Sequence, residues 1–174
     1  MLSKRRLGFL ILIILTICII AIPVIIMSVL INLEETHLNP KWDYYVEPGI
    51  YTAQEEINEG NITYTLWTYI YRDFMPISPP AGKPLIAGIR VYANNIENFP
   101  LTTKIERLWI INGTKINSTL ATDELSIDGS IYELVFREGP KWEPGLKIDV
   151  VVKLNTSVNI YYLKAINQTI HSTW

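Results

Sequence analysis

Apolar residues are distributed along the chain in two regimes. From residue 7 to residue 33 they are nearly continuous, LGFLILIILTICIIAIPVIIMSVLINL, with no charge in the run and Lys4-Arg5-Arg6 just before it. A helix rises about 1.5 Å per residue and a bilayer's hydrocarbon core is about 30 Å thick, so this run predicts one transmembrane helix with some tilt. Pro23 removes a backbone donor within it and predicts a kink or a helix contact. After residue 34 the apolar residues recur at every second position, in short runs separated by Gly, Pro, Asn and Asp. That is the pattern of strands and turns.

Residues 62–71, ITYTLWTYIY, are β-branched and aromatic throughout, and alternation sets Ile62, Tyr64, Leu66 and Ile70 on one face. Leu85, Ala87, Ile89, Val91 and Ala93 alternate in the same way up to Asn94-Asn95. Residues 104–111 follow as a strand. Asn112-Gly113 is the strongest hairpin signal in the chain and pairs that strand with residues 115–120. Asp128-Gly129 makes a second such turn before the strand at 131–137. Leu146, Ile148, Val150, Val152 and Leu154 form the cleanest inward face, and Asn155-Thr156-Ser157 turns it into a strand at 158–166. The tail, 168–174, is expected to dock as a last edge.

The connections are legible too. Residues 51–59 predict a helical turn ahead of Gly60, with Glu55, Glu56 and Glu59 as a solvated face. Pro76, Pro79, Pro80 and Pro84 lack donors, so residues 75–84 read as an exposed, stiff loop. Residues 138–145, EGPKWEPG, read as a rigid loop with Trp142 at its centre. The sum is six to eight strands with turns about a dozen residues apart, which predicts a mainly β fold: an antiparallel β-sandwich of immunoglobulin-like type, with a small barrel or jelly roll close behind. The domain organisation is a cytoplasmic basic flank at 1–6, the transmembrane signal-anchor helix at 7–33, a juxtamembrane neck at 34–48 and an extracytoplasmic domain at 49–174.

The orientation follows from charge. Basic residues precede the span and Glu34-Glu35 follow it, which puts the N-terminus in the cytoplasm and the C-terminal domain outside a plasma membrane crossed once. The run is too long for a cleaved secretory signal and ends without a small-x-small cleavage site. Lys4-Arg5-Arg6-Leu7-Gly8-Phe9 followed by a long apolar run resembles the leader of type IV pilin-like proteins, which are cleaved after a small residue just behind the basic cluster. The acidic residue that bacterial pilins commonly carry shortly after that point is absent here. The resemblance implies an alternative role, a filament subunit with its leader removed near Gly8.

Composition narrows the chemistry. The net charge of -2 hides an asymmetry: residues 34–174 hold 12 basic and 17 acidic side chains, net -5, with the cations scattered singly. No footprint for nucleic acid or anionic lipid results. The single cysteine, Cys18, lies inside the apolar run, so the outer domain forms no disulfide and must be held by packing. His37 and His171 lie near opposite ends of the domain, no G-x-S-x-G elbow or Gly-rich phosphate loop is present, and the carboxylates are evenly spread. The expectation is no enzyme, no metal and no cofactor.

Five triplets match N-x-[ST], at Asn61, Asn112, Asn117, Asn155 and Asn167, and all follow the span. On the side that charge places outside, they predict a glycosylated surface. Four aromatic residues are the candidate interaction surface. Trp142 is a binding anchor if exposed and a cover for the end of the domain if folded back. Trp42, Tyr44 and Tyr45 rest at the headgroup level or pack on the domain as a first edge strand. The expected role is a binding, accessory or structural module of a membrane or cell-envelope complex. Its partners are lipid along residues 7–33 and one or more proteins of that membrane or envelope.

Overall fold

The computed structural model describes residues 42–121 and 125–174. The apolar run with Pro23 and Cys18, its basic flank, residues 34–41 of the neck and His37 lie outside them. Among the described residues no helix is long and apolar enough to cross a membrane.

The chain is mainly β. Among the described residues a short 3-10 helix, Pro48–Thr52, precedes nine strands: β1 (Glu56–Glu59), β2 (Ile62–Asp73), β3 (Leu85–Asn94), β4 (Lys104–Asn112), β5 (Lys115–Leu120), β6 (Leu125–Asp128), β7 (Ile131–Gly139), β8 (Lys147–Asn155) and β9 (Ile160–Thr173). They form one curled sheet, a half-barrel, in the order β5-β4-β8-β9-β2-β3-β7-β6, with β1 added beside the first half of β2. The expected helical turn is thus displaced. It falls at Pro48–Thr52, where Pro48 starts it, and Glu56 joins a strand because the Gly60 turn folds β1 back onto β2.

Three two-residue hairpins share one design. Their loops are Gly60-Asn61, Gly113-Thr114 and Gly129-Ser130, and in each the glycine alone has positive φ, between 54 and 63°. That is the II′ pattern, which demands glycine at the first central position. Asn112 and Asp128, expected to lead their turns, instead end the strands before them.

The largest departure from the sequence pattern is β9. Residues 158–166 and the tail are one strand, and the tail is no edge. Residues 160–169 of β9 pair antiparallel with β8, while Ile170–Thr173 pairs parallel with Ile70–Asp73 in the middle of the sheet. The β8 ladder is interrupted by a β-bulge where Ile166 and Asn167 oppose the single residue Asp149. Asn167 takes the left-handed conformation, φ 56°, and its N–H donates to Asp149 Oδ1 at 2.9 Å. Bulges bend a strand and increase its twist, so this one helps to curl the sheet.

The curl encloses one core. Leu85, Ala87, Ile89, Val91 and Ala93 of β3 meet Leu108 and Ile110 of β4 and Ile148, Val150, Val152 and Leu154 of β8 in a single cluster. Leu146, expected to head the last of these faces, lies before the strand and is exposed. Trp109 and Val151 are buried on the opposite face, where Ile50, Ala53 and Tyr162 cover them. Residues 43–54 therefore act as a strap across the outside of β4 and β8.

Ion pairs and hydrogen bonds fasten the strap. Asp43 pairs by backbone with Ser118 on edge strand β5, and its carboxylate accepts from Ser118 Oγ and from Arg107 at 2.9 Å. Trp109 Nε1 donates to Tyr45 O at 2.8 Å. Glu47 accepts from Lys153 at 3.2 Å and from the Tyr162 hydroxyl. Partial burial raises the Asp43 and Glu47 carboxyls, but these donors outweigh it and both end below their ordinary values. Partial burial lowers Lys153, and Glu47 with Glu106 reverses that to a net rise. Partial burial and the bond to Glu47 push the Tyr162 hydroxyl up to about 12.

Two outcomes are expected. Trp109→Ala removes a fully buried ring and the strap's main apolar contact, and should cost about 3–5 kcal/mol of unfolding free energy in a urea titration. The depressed carboxyls stabilise the fold above their ordinary values, and that contribution disappears as pH falls through the lowered ones. The raised Lys153 and Tyr162 stabilise it below about pH 10, and that contribution disappears as pH rises through their raised values. Melting temperature plotted against pH should fall on both sides, and Glu47→Gln should make both limbs shallower; a superimposable profile would show that the clamp contributes nothing.

Candidate functional site

The aromatic residues singled out in the sequence occupy three different environments. Trp42 is buried in the main core, and its Nε1 donates to Arg137 O at 2.8 Å. It bridges the open side of the curl, because Asp43 beside it pairs with β5 while Arg137 lies on the stretch of β7 beyond the β6 pairing. It is therefore a seam residue and not an exposed anchor. Tyr44 and Tyr45 are exposed, with the Arg107 guanidinium 4.5 Å from the Tyr45 ring centre. Trp142 is half-buried and packs against the main core.

The five sequons also separate. Asn61 sits exposed in the β1–β2 turn and Asn167 exposed in the β9 bulge. Asn112 and Asn155 are half-buried at strand ends, and Asn155 Nδ2 donates to Glu106 Oε1 at 2.6 Å. Asn117 is only 7% exposed, opposite Ile110 within the β4–β5 ladder. A glycan on Asn117 has no room in this fold, because paired strand residues share a face and Ile110 faces the core.

The loop of Trp142 belongs to a larger construction. Arg72 is placed by the alternation of β2 on the inner face, at the end of the half-barrel, and is 1% exposed. Its guanidinium donates to the carbonyls of Ala81 and Lys83 (3.0 Å) in one loop and of Lys141 (3.4 Å) and Trp142 (3.2 Å) in the other. Glu143 lies 3.9 Å away and the Phe74 ring 4.9 Å away. Burial lowers the Arg72 pKa, with Glu143 opposing, yet arginine remains charged at any physiological pH. One fork thus satisfies four carbonyls that two proline-containing loops present at the same end of the sheet. Lys83 Nζ to Asp73 Oδ2 at 2.7 Å and Gly145 N–H to Ile170 O at 2.8 Å add further ties.

The outer surface of this end is apolar. Ile77 is 89% and Trp174 80% exposed, Met75 is exposed too, and Trp174 stacks on Phe74 with ring centres 5.2 Å apart. A second exposed feature lies on the outward face of β2. Trp67 and Tyr69 are 45% and 42% exposed, and Trp67, Tyr69, Tyr71 and His171 form a contiguous row with centres 5.2 to 6.4 Å apart. Arg90 lies 5.1 Å over Trp67 and pairs with Glu133 at 3.0 Å. Sequence reasoning missed this row, although the alternation that sent Tyr64 and Ile70 inward sends Trp67, Tyr69 and Tyr71 outward.

Among the described residues no group of three or more His, Cys, Asp or Glu could hold a metal ion. One cleft of about 170 Å³ lies between Tyr45, Glu47, Arg107 and Lys153, and another of about 200 Å³ between Arg90, Ser126, Asp128 and Glu133. Both fall short of the roughly 300 Å³ at which small-molecule sites begin. Compared with protein-family models, curated proteins and solved structures, the chain matches none.

Arg72→Lys keeps the charge but loses the fork, and leaves carbonyls of both loops without donors. The loop at 138–145 should then be cut by trypsin at Lys141 faster than in the parent protein, since Lys83, followed by Pro84, is no trypsin site. Arg72→Met should also cost at least about 3 kcal/mol in chemical denaturation, given charged hydrogen bonds lost at several buried acceptors.

Proposed function

We propose that this chain is a membrane-anchored, N-glycosylated extracytoplasmic binding module that docks a protein partner through the loop end pinned by Arg72. The observation that carries the reading is the combination of rigidity and exposure there: Ile77 and Trp174 stand in solvent on segments whose backbone a buried guanidinium and a ring stack hold in place. A preorganised loop loses little entropy on binding, and exposed apolar and aromatic side chains supply the energetic centre of an interface. Loops carried by a rigid sheet are where β modules keep their binding residues.

The setting comes from the sequence. Lys4-Arg5-Arg6 ahead of the apolar run at 7–33 places the body outside a plasma membrane. The exposed sequons Asn61 and Asn167 are consistent with a glycan-bearing surface. In architecture the two halves facing each other across one core support kinship with immunoglobulin-like sandwiches, here with β9 shared between them. The module works by binding, as an accessory or structural subunit of a membrane or envelope complex, and not by catalysis.

A photo-crosslinking residue at position 77 or 174 of the full chain should capture a protein in intact membranes. The same residue at Leu101, equally exposed but in the β3–β4 connection at the opposite end, should not. Ile77→Asp should abolish the adduct formed from position 174. Equal capture from position 101, or none from 77 and 174, would remove the loop end as the docking surface.

A further inference from the structure

The row of exposed rings on β2 lies beside a glycosylation sequon. In the parallel ladder Ile70 faces Ile170 and Tyr71 faces His171. Two residues before it, Thr68 Oγ still donates to Gln168 Oε1 at 2.8 Å, so the strands remain adjacent there. Carried back one residue further, the register sets Asn167 abreast of Trp67. Asn167 and Thr169 are the two working residues of the triplet Asn167-Gln168-Thr169, and Tyr69 and Trp67 are their counterparts on β2.

The face is shaped for a flat, hydroxyl-rich occupant. Gly88 lies opposite Tyr69 on β3, so no side chain stands directly across the ladder from that ring. Next to Trp67 come Arg90 and Glu133, a paired donor and acceptor, with Ser126 and Asp128 in the same shallow cleft. Aromatic faces beside mixed donors and acceptors suit sugar rings, which are apolar on one face and carry hydroxyls around the edge. An anionic ligand is disfavoured, because Glu133 and Asp128 outnumber Arg90. The bulge supplies the source: it turns Asn167 out of the ladder while its backbone N–H is held by Asp149.

We propose that the N-linked glycan of Asn167 lies back over Trp67 and Tyr69, so that the protein's own sugar covers the aromatic face of β2. The assignment rests on the reading that the domain is exposed to glycosylation, and it separates the two exposed features of the molecule. The sheet face is shielded by carbohydrate, while the loop end with Ile77 and Trp174 stays bare for a partner.

The test uses the full chain made in a host with N-linked glycosylation and extracted in mild detergent. Peptide mass analysis first reports occupancy at Asn167 and Asn61; an unoccupied Asn167 overturns both this assignment and the glycoprotein reading at that site. With both occupied, the folded protein is treated with an amidase that cuts the glycan–asparagine bond. The Asn167 glycan should be released roughly two- to tenfold more slowly than the Asn61 glycan, the protection that one or two ring contacts give. Trp67→Ala with Tyr69→Ala should equalise the two rates, and Trp67→Ala alone should remove part of the difference. Equal rates in the parent protein, or a difference that survives loss of both rings, would overturn the assignment while leaving glycosylation intact. A dimer that dissociates on loss of the rings would also overturn it, since the occupant would then be a second copy.

Discussion

A single strand, β9, carries the constraint on which the rest of this structure depends. Residues 160–169 complete the β5-β4-β8 side of the curl, and Ile170–Thr173 lies parallel to β2 in the other side. The bulge at Ile166-Asn167 against Asp149 bends the strand shortly before it reaches β2. Because the two sides are bonded through this strand, they cannot slide independently, and one core forms between them. The strand then carries His171 to the aromatic row and its end to the loops held by Arg72.

Arg72 shows how a costly group becomes useful. Removing a guanidinium from water is expensive unless its donors are all engaged. Here the partners are carbonyls of segments that make few ladder bonds of their own, since Pro76, Pro79, Pro80 and Pro84 have no N–H to give and Pro140 and Pro144 interrupt the other loop. Each side solves the other's problem: the loops need donors for carbonyls that no ladder partner satisfies, and the cation needs acceptors. The strap is built on the same exchange at the other face, where Asp43 and Glu47 meet Arg107, Lys153 and Tyr162 over the apolar floor of Trp109 and Val151.

Much of the strand content was legible. β3 is read from Leu85 to Asn94 because one face is wholly buried and the other half-exposed, the condition under which alternation is cleanest. β4 and β8 blur it, with Leu108, Trp109 and Ile110 buried in succession and Val150, Val151 and Val152 likewise, because the strap covers their outer face. The hairpins were located but displaced by one residue, since Asn-Gly and Asp-Gly suggest turns that the observed glycine-first geometry does not use. Of the candidate site, Trp142 lies in the loop that Arg72 holds and the alternation of β2 sends Trp67 outward, but nothing local marked Trp42 as buried.

What the sequence determined by itself is whatever depends on neighbours in the chain: a long apolar run preceded by basic residues, the period of two, the glycine turns and the proline loops. What only the tertiary structure decided is which of those elements meet. Trp42 is inside because it spans the seam between β5 and β7, Asn117 is closed off because its partner Ile110 faces the core, and the tail lies mid-sheet because β9 pairs with β2. Pairing and burial are set by contacts between residues as many as 115 positions apart, and the free energy of such contacts leaves no trace in the local pattern of a chain.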